Sequence, residues 1–133
     1  MKSKHLVYSK GKFPIDVRDI DVDDYKNILG VGNLVKIDGK KYIVMDKKDY
    51  KCKLMGLDGR TRNCYYKCID YMYMTLETSR DNEIIEFMGK QNLGDYSVVD
   101  YEKDEHQFRC EDGNLHSYSF LFNKFLRRNK GVA

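Results

Sequence analysis

The chain has 133 residues, 41% of them hydrophobic and 34% charged, with a formal net charge of +3. Eleven Tyr and six Phe supply the bulk that disordered chains lack, so we expect a folded protein with a modest core. No apolar run approaches the roughly 20 residues of a membrane-spanning helix, and no apolar segment follows the basic amino terminus as in a signal peptide. The sequence therefore predicts a cytoplasmic protein that does not bind a membrane, with four reduced cysteines.

Residues 1–32 are predicted to form an amino-terminal extension. Within it, residues 13–17 are predicted to be extended. Residues 21–30 begin with acidic side chains and end in glycine, as a short capped helix does. The segment Gly30-Val31-Gly32 is interpreted as the end of that helix, because a phosphate-binding loop would lie between a strand and a helix.

An internal repeat follows the extension, at an offset of 54 residues. Tyr42-Ile43-Val44-Met45-Asp46 matches Tyr96-Ser97-Val98-Val99-Asp100, and Leu57-Asp58-Gly59 matches Glu111-Asp112-Gly113 without a gap. Between these blocks both copies alternate apolar and polar residues, which is the period of a β-strand. An Asp-Gly pair between two alternating segments predicts a hairpin turn.

Each copy extends at both ends. Upstream, residues 34–40 resemble residues 84–90 and predict a first strand in each copy. Downstream, a fourth strand is predicted from the match of Cys64 and Tyr66 with Tyr118 and Phe120. Residues 119–128 are predicted either to prolong that strand or to form a helical turn with its apolar side chains inward.

A short strand ending in Asp38-Gly39-Lys40, then Tyr42-Ile43-Val44, a charged turn, an alternating strand and Asp58-Gly59 resembles the SH3-like small barrels, including Tudor-like and KOW-like domains. The resemblance covers about residues 33–68 and 83–120. It implies an all-β, mainly β fold of two SH3-like small barrels from an internal duplication, with a short N-terminal helix, and implies no activity. The predicted domains are the extension 1–32, the first unit with its connector 33–81, and the second unit with its tail 82–133.

The two copies carry opposite charge. Residues 33–68 hold ten Lys and Arg against four Asp and Glu, a net charge of +6. Residues 82–126 hold four basic residues against nine acidic ones, a net charge of −5. Head-to-tail self-association between a basic and an acidic copy is one consequence that we consider.

A nucleic-acid-binding surface is predicted as the alternative function of the first copy. Basic groups interleaved with exposed aromatic rings are typical of single-stranded nucleic-acid sites. The same alternation also describes the solvated face of an ordinary strand. The candidate residues are Lys47, Lys48, Lys51, Lys53, Arg60, Arg62 and Tyr50.

The connector between the copies is rich in Tyr and Met, two residue types that suit protein interfaces. An ordinary connector with one buried face would have the same composition. The predicted partner-binding residues are Tyr65, Tyr66, Tyr71, Met72, Tyr73 and Met74.

Catalytic and metal sites are not predicted. Cys64 and Cys68 are four residues apart, but a zinc site would need two paired elements, and the other cysteines lie singly on alternating strands. Cys110 with His106 or His116 lacks a third, orienting group, so nucleophilic catalysis is not expected.

The sequence therefore predicts a non-enzymatic binding protein without cofactor or metal. Its leading partner is a protein, bound through the Tyr-rich, charge-polarised surface. The composition and small size resemble phage or mobile-element proteins that inhibit host machinery.

Overall fold

The structure, a computed structural model, describes residues 15–16 and 29–131. Of the predicted amino-terminal extension, residues 1–14 and 17–28 lie outside the described part, and with them nearly all of the predicted helix at 21–30. The chain divides into two compact units, of which the first ends at Thr78 and the second begins at Ser79.

The first unit contains an antiparallel six-stranded sheet. Its strands are β1 (Ile15–Asp16), β2 (Leu34–Ile37), β3 (Lys40–Lys48), β4 (Lys51–Gly56), β5 (Thr61–Tyr65) and β6 (Tyr71–Met72), and their order is β1-β6-β2-β3-β4-β5. A 3-10 turn (Tyr66–Cys68) joins β5 to β6, and helix α1 (Thr75–Arg80) follows β6. Because β6 returns to pair with β2, the last strand of the five-strand meander lies beside its first.

One buried cluster of the first unit lies on one face of this sheet, while Leu34, Ile43 and Met55 are buried on the other face. Directly opposed residues of antiparallel strands point to the same side. The register pairs Val44 with Leu54 and Cys52 with Cys64, so alternate residues of β3, β4 and β5 form one apolar layer. The buried cluster comprises Leu29, Val35, Ile37, Val44, Cys52, Leu54, Cys64, Tyr66, Ile69 and Met72.

The second unit combines a three-stranded antiparallel sheet with two longer helices. Its elements are α2 (Asn82–Gly89), a 3-10 turn (Gly94–Tyr96), β7 (Val98–Glu102), β8 (Gln107–Cys110), β9 (Leu115–His116) and α3 (Tyr118–Gly131), with strand order β7-β8-β9. The ring of Phe87 on α2 packs edge-on against that of Phe125 on α3, with centroids 5.6 Å apart. Phe108 on β8 is fully buried.

The prediction of a strand at residues 84–90 is wrong, because these residues belong to helix α2. Ile84, Phe87 and Met88 are buried, and their spacing of three and four places them on one side of a helix. The carboxylate of Asp81 accepts hydrogen bonds from the N–H groups of Glu83 at 2.9 Å and Ile84 at 3.1 Å. This capping begins the helix.

The predicted fourth strand of the second copy is also wrong at Tyr118 and Phe120, which begin helix α3. Of the two alternatives for residues 119–128, the helix is the one observed. The strand that pairs with β8 is the shorter β9, three positions nearer the Asp-Gly turn. The protein is mainly β, with two antiparallel sheets, as the sequence predicted at that coarser level.

The two halves of the predicted repeat share the same bulge. The β3–β4 register shifts between Val44 and Asp46, and the β7–β8 register shifts between Val98 and Asp100. After each shift the aspartate side chain accepts the N–H of the next residue, at 2.9 Å in both hairpins. The offset between the two bulges is the offset of the sequence repeat.

The Asp-Gly turns match in the same way. Asp58 Oδ1 accepts the N–H of Arg60 at 3.0 Å, and Gly59 has φ of 92°. Asp112 Oδ1 accepts the N–H two residues further on at 2.9 Å, and Gly113 has φ of 84°. Both turns therefore depend on a carboxylate that bonds its own backbone and on a glycine that adopts positive φ without a Cβ clash.

Candidate functional site

The outer face of β3, β4 and β5 carries two rows of polar and aromatic side chains. Cross-strand partners make one row of Lys48, Lys51 and Tyr65. Two positions further along the strands, the next row is Asp46, Lys53 and Asn63. All six side chains are exposed, and they point away from the core because Cys52 and Cys64 between the rows point into it.

The aromatic rings of this face stand next to its cations. Tyr65 is 52% exposed, and the Nζ of Lys51 lies 5.3 Å from the centroid of its ring. Tyr50, in the turn between β3 and β4, is 50% exposed. This turn is held by the Tyr50 carbonyl, which accepts the N–H of Tyr66 at 3.0 Å. We call Lys48, Lys51, Lys53, Tyr50 and Tyr65 the basic aromatic face.

Lys47 was predicted to belong to this surface, but the structure places it on the other side of the sheet. It pairs with the buried Cys52 across the β3–β4 ladder. Its ammonium donates a hydrogen bond to the carbonyl of Leu29. Lys47 is therefore separated from Lys48 and Lys51, because residues next to each other on a strand point to opposite faces.

Arg60 and Arg62, also predicted here, line a separate cleft of about 310 Å³. The guanidinium of Arg62 lies 5.5 Å from the ring centroid of Tyr42 and donates to its hydroxyl at 3.4 Å. That hydrogen bond raises the pKa of Arg62. Since Arg62 is opposed to Leu54 in the β4–β5 ladder, the cleft opens on the face opposite to the basic aromatic face.

The cleft is strongly basic. Lys40 and Lys41 join the two arginines in its wall, against the single carboxylate of Asp58. That carboxylate lies 3.8 Å from the Nε of Arg60, and both side chains are largely exposed. Gly56 also lines the cleft, and a Cβ added there would approach Asp58 Oδ1 to 2.9 Å.

The predicted partner-binding surface is divided by the structure. Tyr66 and Met72 are 1% and 0% exposed, so these two residues are wrong as contact residues. Tyr66 begins the 3-10 turn with its side chain in the core, and Met72 pairs with the buried Val35. Tyr65 remains exposed, and Tyr71, Tyr73 and Met74 are half-buried.

The sequence analysis considered the cysteines and histidines as metal ligands and as a nucleophile with its base. In the described part of the chain, no group of three or more His, Cys, Asp and Glu side chains is placed to hold a metal ion. Burial raises the pKa of the Cys110 thiol to about 11. This thiol is therefore protonated near neutral pH, which disfavours it as a nucleophile.

One pair in the second unit was missed by the sequence analysis. The Nε2 of His116 lies 2.7 Å from Asp112 Oδ2, and the imidazole stacks on Phe120 with centroids 4.5 Å apart. The hydrogen bond with His116 is the main cause of a lowered pKa for Asp112. The sequence feature that could have predicted this pair is a histidine four residues after the aspartate of an Asp-Gly turn, on the strand that follows the turn.

Comparison of the chain with family models, curated proteins and solved structures found no match. In the part that the structure describes, no helix has the length and apolar character needed to cross a membrane.

Proposed function

We propose that the first unit binds single-stranded nucleic acid on its basic aromatic face and performs no catalytic step. The observation that supports this most is the row of Lys48, Lys51 and Tyr65, because it places cations and an exposed ring side by side on one face of the sheet. Ammonium groups neutralise phosphates, and tyrosine rings stack on bases of any sequence. We therefore expect binding with little sequence preference.

The basic cleft provides the second group of phosphate contacts. It lies across the sheet from the basic aromatic face, and β5 is the edge strand between them in the described sheet. A flexible single strand can bend around such an edge, whereas a stiff duplex cannot. This arrangement favours single-stranded over double-stranded ligands.

The test is fluorescence anisotropy with a labelled oligothymidylate of about 20 nucleotides and a matching duplex. We expect the affinity for the single strand to fall steeply as salt rises, because bound cations release counterions. The double variant Lys51→Glu and Lys53→Glu should weaken binding at least about tenfold. It should also reduce the slope of log affinity against log salt concentration by about two, because two phosphate contacts are lost.

The matched control is Lys90→Glu with Arg127→Glu, which changes the net charge equally at exposed positions of the second unit. This control should keep most of the affinity, because neither side chain lies on the basic aromatic face. If both double variants lose the same affinity, the loss is explained by net charge and not by the basic aromatic face. If the wild-type protein does not bind at low salt, the proposed function is refuted.

A protein partner is the second candidate. It is favoured by β5, which is an edge strand of the described sheet and on which Thr61, Arg62, Asn63 and Tyr65 are all exposed. An exposed edge offers backbone groups to which a partner can add a strand. Arg62→Ala and Tyr65→Ala should release a protein that is captured from a cell extract. A partner that remains bound to both variants would exclude this edge.

The protein partner could be a second copy of this chain, bound head to tail through complementary charges. The basic aromatic face of one copy would contact acidic residues such as Glu111 and Asp104 of the other. We expect sedimentation to show dimers at low salt that dissociate as salt screens the charges. A monomer at low salt would exclude this contact.

We also infer that the β3–β4 and β7–β8 hairpins are copies from an internal duplication and that the first unit is an SH3-like small barrel. The shared bulge and the two equivalent Asp-Gly turns support the duplication. The pairing of β6 with β2 supports the barrel, and the N–H of Tyr73 donates to the Leu34 carbonyl at 2.8 Å. Rapid exchange of the Tyr73 amide hydrogen would argue against the barrel.

A further inference from the structure

Two buried thiols face each other beneath the basic aromatic face. Cys52 on β4 and Cys64 on β5 are directly opposed in the antiparallel ladder, and their Sγ atoms are 3.9 Å apart. They are 2% and 8% exposed. The two thiols are in hydrogen-bonding contact with each other, and the Cys52 thiol also donates to the Cys64 carbonyl at 3.7 Å.

The geometry meets the requirements of a disulfide without a change in strand pairing. Opposed residues of antiparallel strands have Cα atoms about 4.5 to 5.5 Å apart, which lies within the range of about 4.4 to 6.8 Å found in disulfides. The sulfur atoms have to approach from 3.9 Å to about 2.05 Å. Rotation of the two side chains is sufficient for that movement, because the backbone is already in range.

The two thiols differ in their chemistry. The hydrogen bond with Cys52 lowers the pKa of Cys64 to about 7, and the positive charge of Arg62 acts in the same direction. The same contact and burial raise the pKa of Cys52. Cys64, on the edge strand, is therefore the thiol of this pair that ionises more readily. A thiolate is the form that reacts with peroxides.

We propose that Cys52 and Cys64 are an oxidation site that forms a reversible disulfide with a peroxide as the oxidant. The Cys64 thiolate attacks one peroxide oxygen, the O–O bond breaks, and Cys64 becomes a sulfenic acid while hydroxide leaves and is protonated to water. The Cys52 sulfur then attacks Cys64 Sγ, its proton leaves with the sulfenic hydroxyl as a second water, and the S–S bond forms. Two thiols are oxidised and one peroxide is reduced to two waters.

The disulfide would join β4 to the edge strand β5 within a closed segment of residues 52–64. Such a cross-link stabilises a fold mainly by limiting the unfolded chain. It also prevents β5 from separating from the sheet. Oxidation therefore makes the edge of the sheet more rigid, and this consequence does not depend on what the first unit binds.

The test uses the full chain with Cys68→Ser, because Cys68 is exposed and offers a competing thiol. Treatment with an equivalent of hydrogen peroxide should lower the mass by two hydrogen atoms and the thiol count from three to one. Peptide mapping should identify the link between Cys52 and Cys64, and dithiothreitol should reverse it. The thermal unfolding midpoint should rise on oxidation and fall back on reduction.

Two further variants separate this pair from general oxidation. In Cys52→Ser with Cys68→Ser, peroxide should leave a sulfenic acid on Cys64 that dimedone traps. The Cys110→Ser with Cys68→Ser control should still form the link, because Cys110 is not opposed to another cysteine in the ladder. A link mapped to any other pair, or three thiols that persist after peroxide, would overturn the proposal.

A second readout covers the case in which the Cys52 variant does not fold. In the Cys68→Ser protein, the alkylation rate of Cys64 should rise with pH around a midpoint of about 7. A midpoint in the usual range of a free thiol, about 8.5, would contradict the assigned role of Cys64 as the reactive partner.

Discussion

The first hairpin, β3–β4, and the second, β7–β8, contain the same bulge and are each followed by an Asp-Gly turn, but they pair in different registers. Lys48 opposes Lys51 across a two-residue turn, whereas Glu102 opposes Gln107 across four residues. The longer loop moves β7 along β8 by two positions, so Val44 opposes Leu54 but Val98 opposes Cys110. Local motifs thus persist while loop length sets the register.

The hairpins also differ in charge. The first presents a surface of lysines, and the second carries more acidic residues, with Arg109 Nε at 3.4 Å from Glu102 Oε2. One scaffold can therefore support opposite surface fields, because outward-facing positions in a strand are free to vary while inward ones are constrained by packing. Substitutions at equivalent positions of the two hairpins test how far their equivalence extends.

The largest expected effect is at the buried position that the repeat assigns to Leu54 and Phe108, both 0% exposed. Phe108→Ala should destabilise the protein by about 3 to 5 kcal/mol and Leu54→Ala by about 2 to 5 kcal/mol, because each leaves a cavity. Urea unfolding followed by circular dichroism measures both. Val99→Ala, at a 54% exposed site, is the control. A Phe108→Ala cost no larger than that of Val99→Ala would contradict the buried position.

The turn glycines come next. Gly59→Ala and Gly113→Ala should each cost at least about 1 kcal/mol, because alanine is strained at positive φ. An added Cβ meets nothing within 4 Å at either site, so the cost is one of backbone conformation. The control Gly89→Ala, at the end of α2 and equally open, should be neutral or stabilising. Clearly unequal losses would show that the two turns are not equivalent.

A smaller effect should distinguish the two turn aspartates by pH. Asp112→Asn preserves the turn bond but loses the charge beside His116. Because the pKa of Asp112 is lowered in the folded protein, its stabilisation is complete above the usual carboxyl pKa of about 3.9 and is lost as pH falls through the lowered value.

Thermal unfolding of wild type and Asp112→Asn should therefore differ most near neutral pH and converge at acid pH. Asp58→Asn is the matched control, since the Asp58 side chain has the same turn bond and pairs with an arginine at 3.8 Å. A difference between wild type and Asp112→Asn that stays constant down to strongly acid pH would be evidence against a stabilising Asp112 carboxylate.

The smallest effect is expected at the bulges. Asp46→Ala and Asp100→Ala each remove an exposed acceptor of a backbone N–H, which should cost about 0.5 kcal/mol. Denaturant midpoints of the two variants should shift by the same amount, beyond that of Asp104→Ala in the loop of the second hairpin. A shift in only one hairpin would limit the equivalence to the Asp-Gly turns.

Local signals predicted much of the first unit from the sequence. The strands that begin at Leu34, Lys40, Lys51 and Thr61 correspond to the predicted meander. The second unit was predicted less well, because the match of residues 84–90 to 34–40 was preferred over the helical spacing of Ile84, Phe87 and Met88. The capping aspartate at position 81 and that spacing were sufficient to predict α2.

The candidate site was predicted in composition but not in arrangement. The list of basic residues was complete for the basic aromatic face, yet it also included Lys47, which bonds to the Leu29 carbonyl. It grouped Arg60 and Arg62 with the lysines, although they line a cleft with Tyr42. The alternation of a strand places neighbouring residues on opposite faces of the sheet, but it does not show which face is buried by the rest of the protein.

The sequence by itself determined the two Asp-Gly turns and the opposite charges of residues 33–68 and 82–126. Each of these depends on a few adjacent residues, through hydrogen bonds such as the one from Asp58 to the Arg60 N–H or through charge that is simply counted. Only the tertiary structure decided that Tyr66 and Met72 are core residues, that Cys52 faces Cys64, and that β6 pairs with β2. Those outcomes depend on register and on burial against residues distant in the chain, which local patterns do not encode.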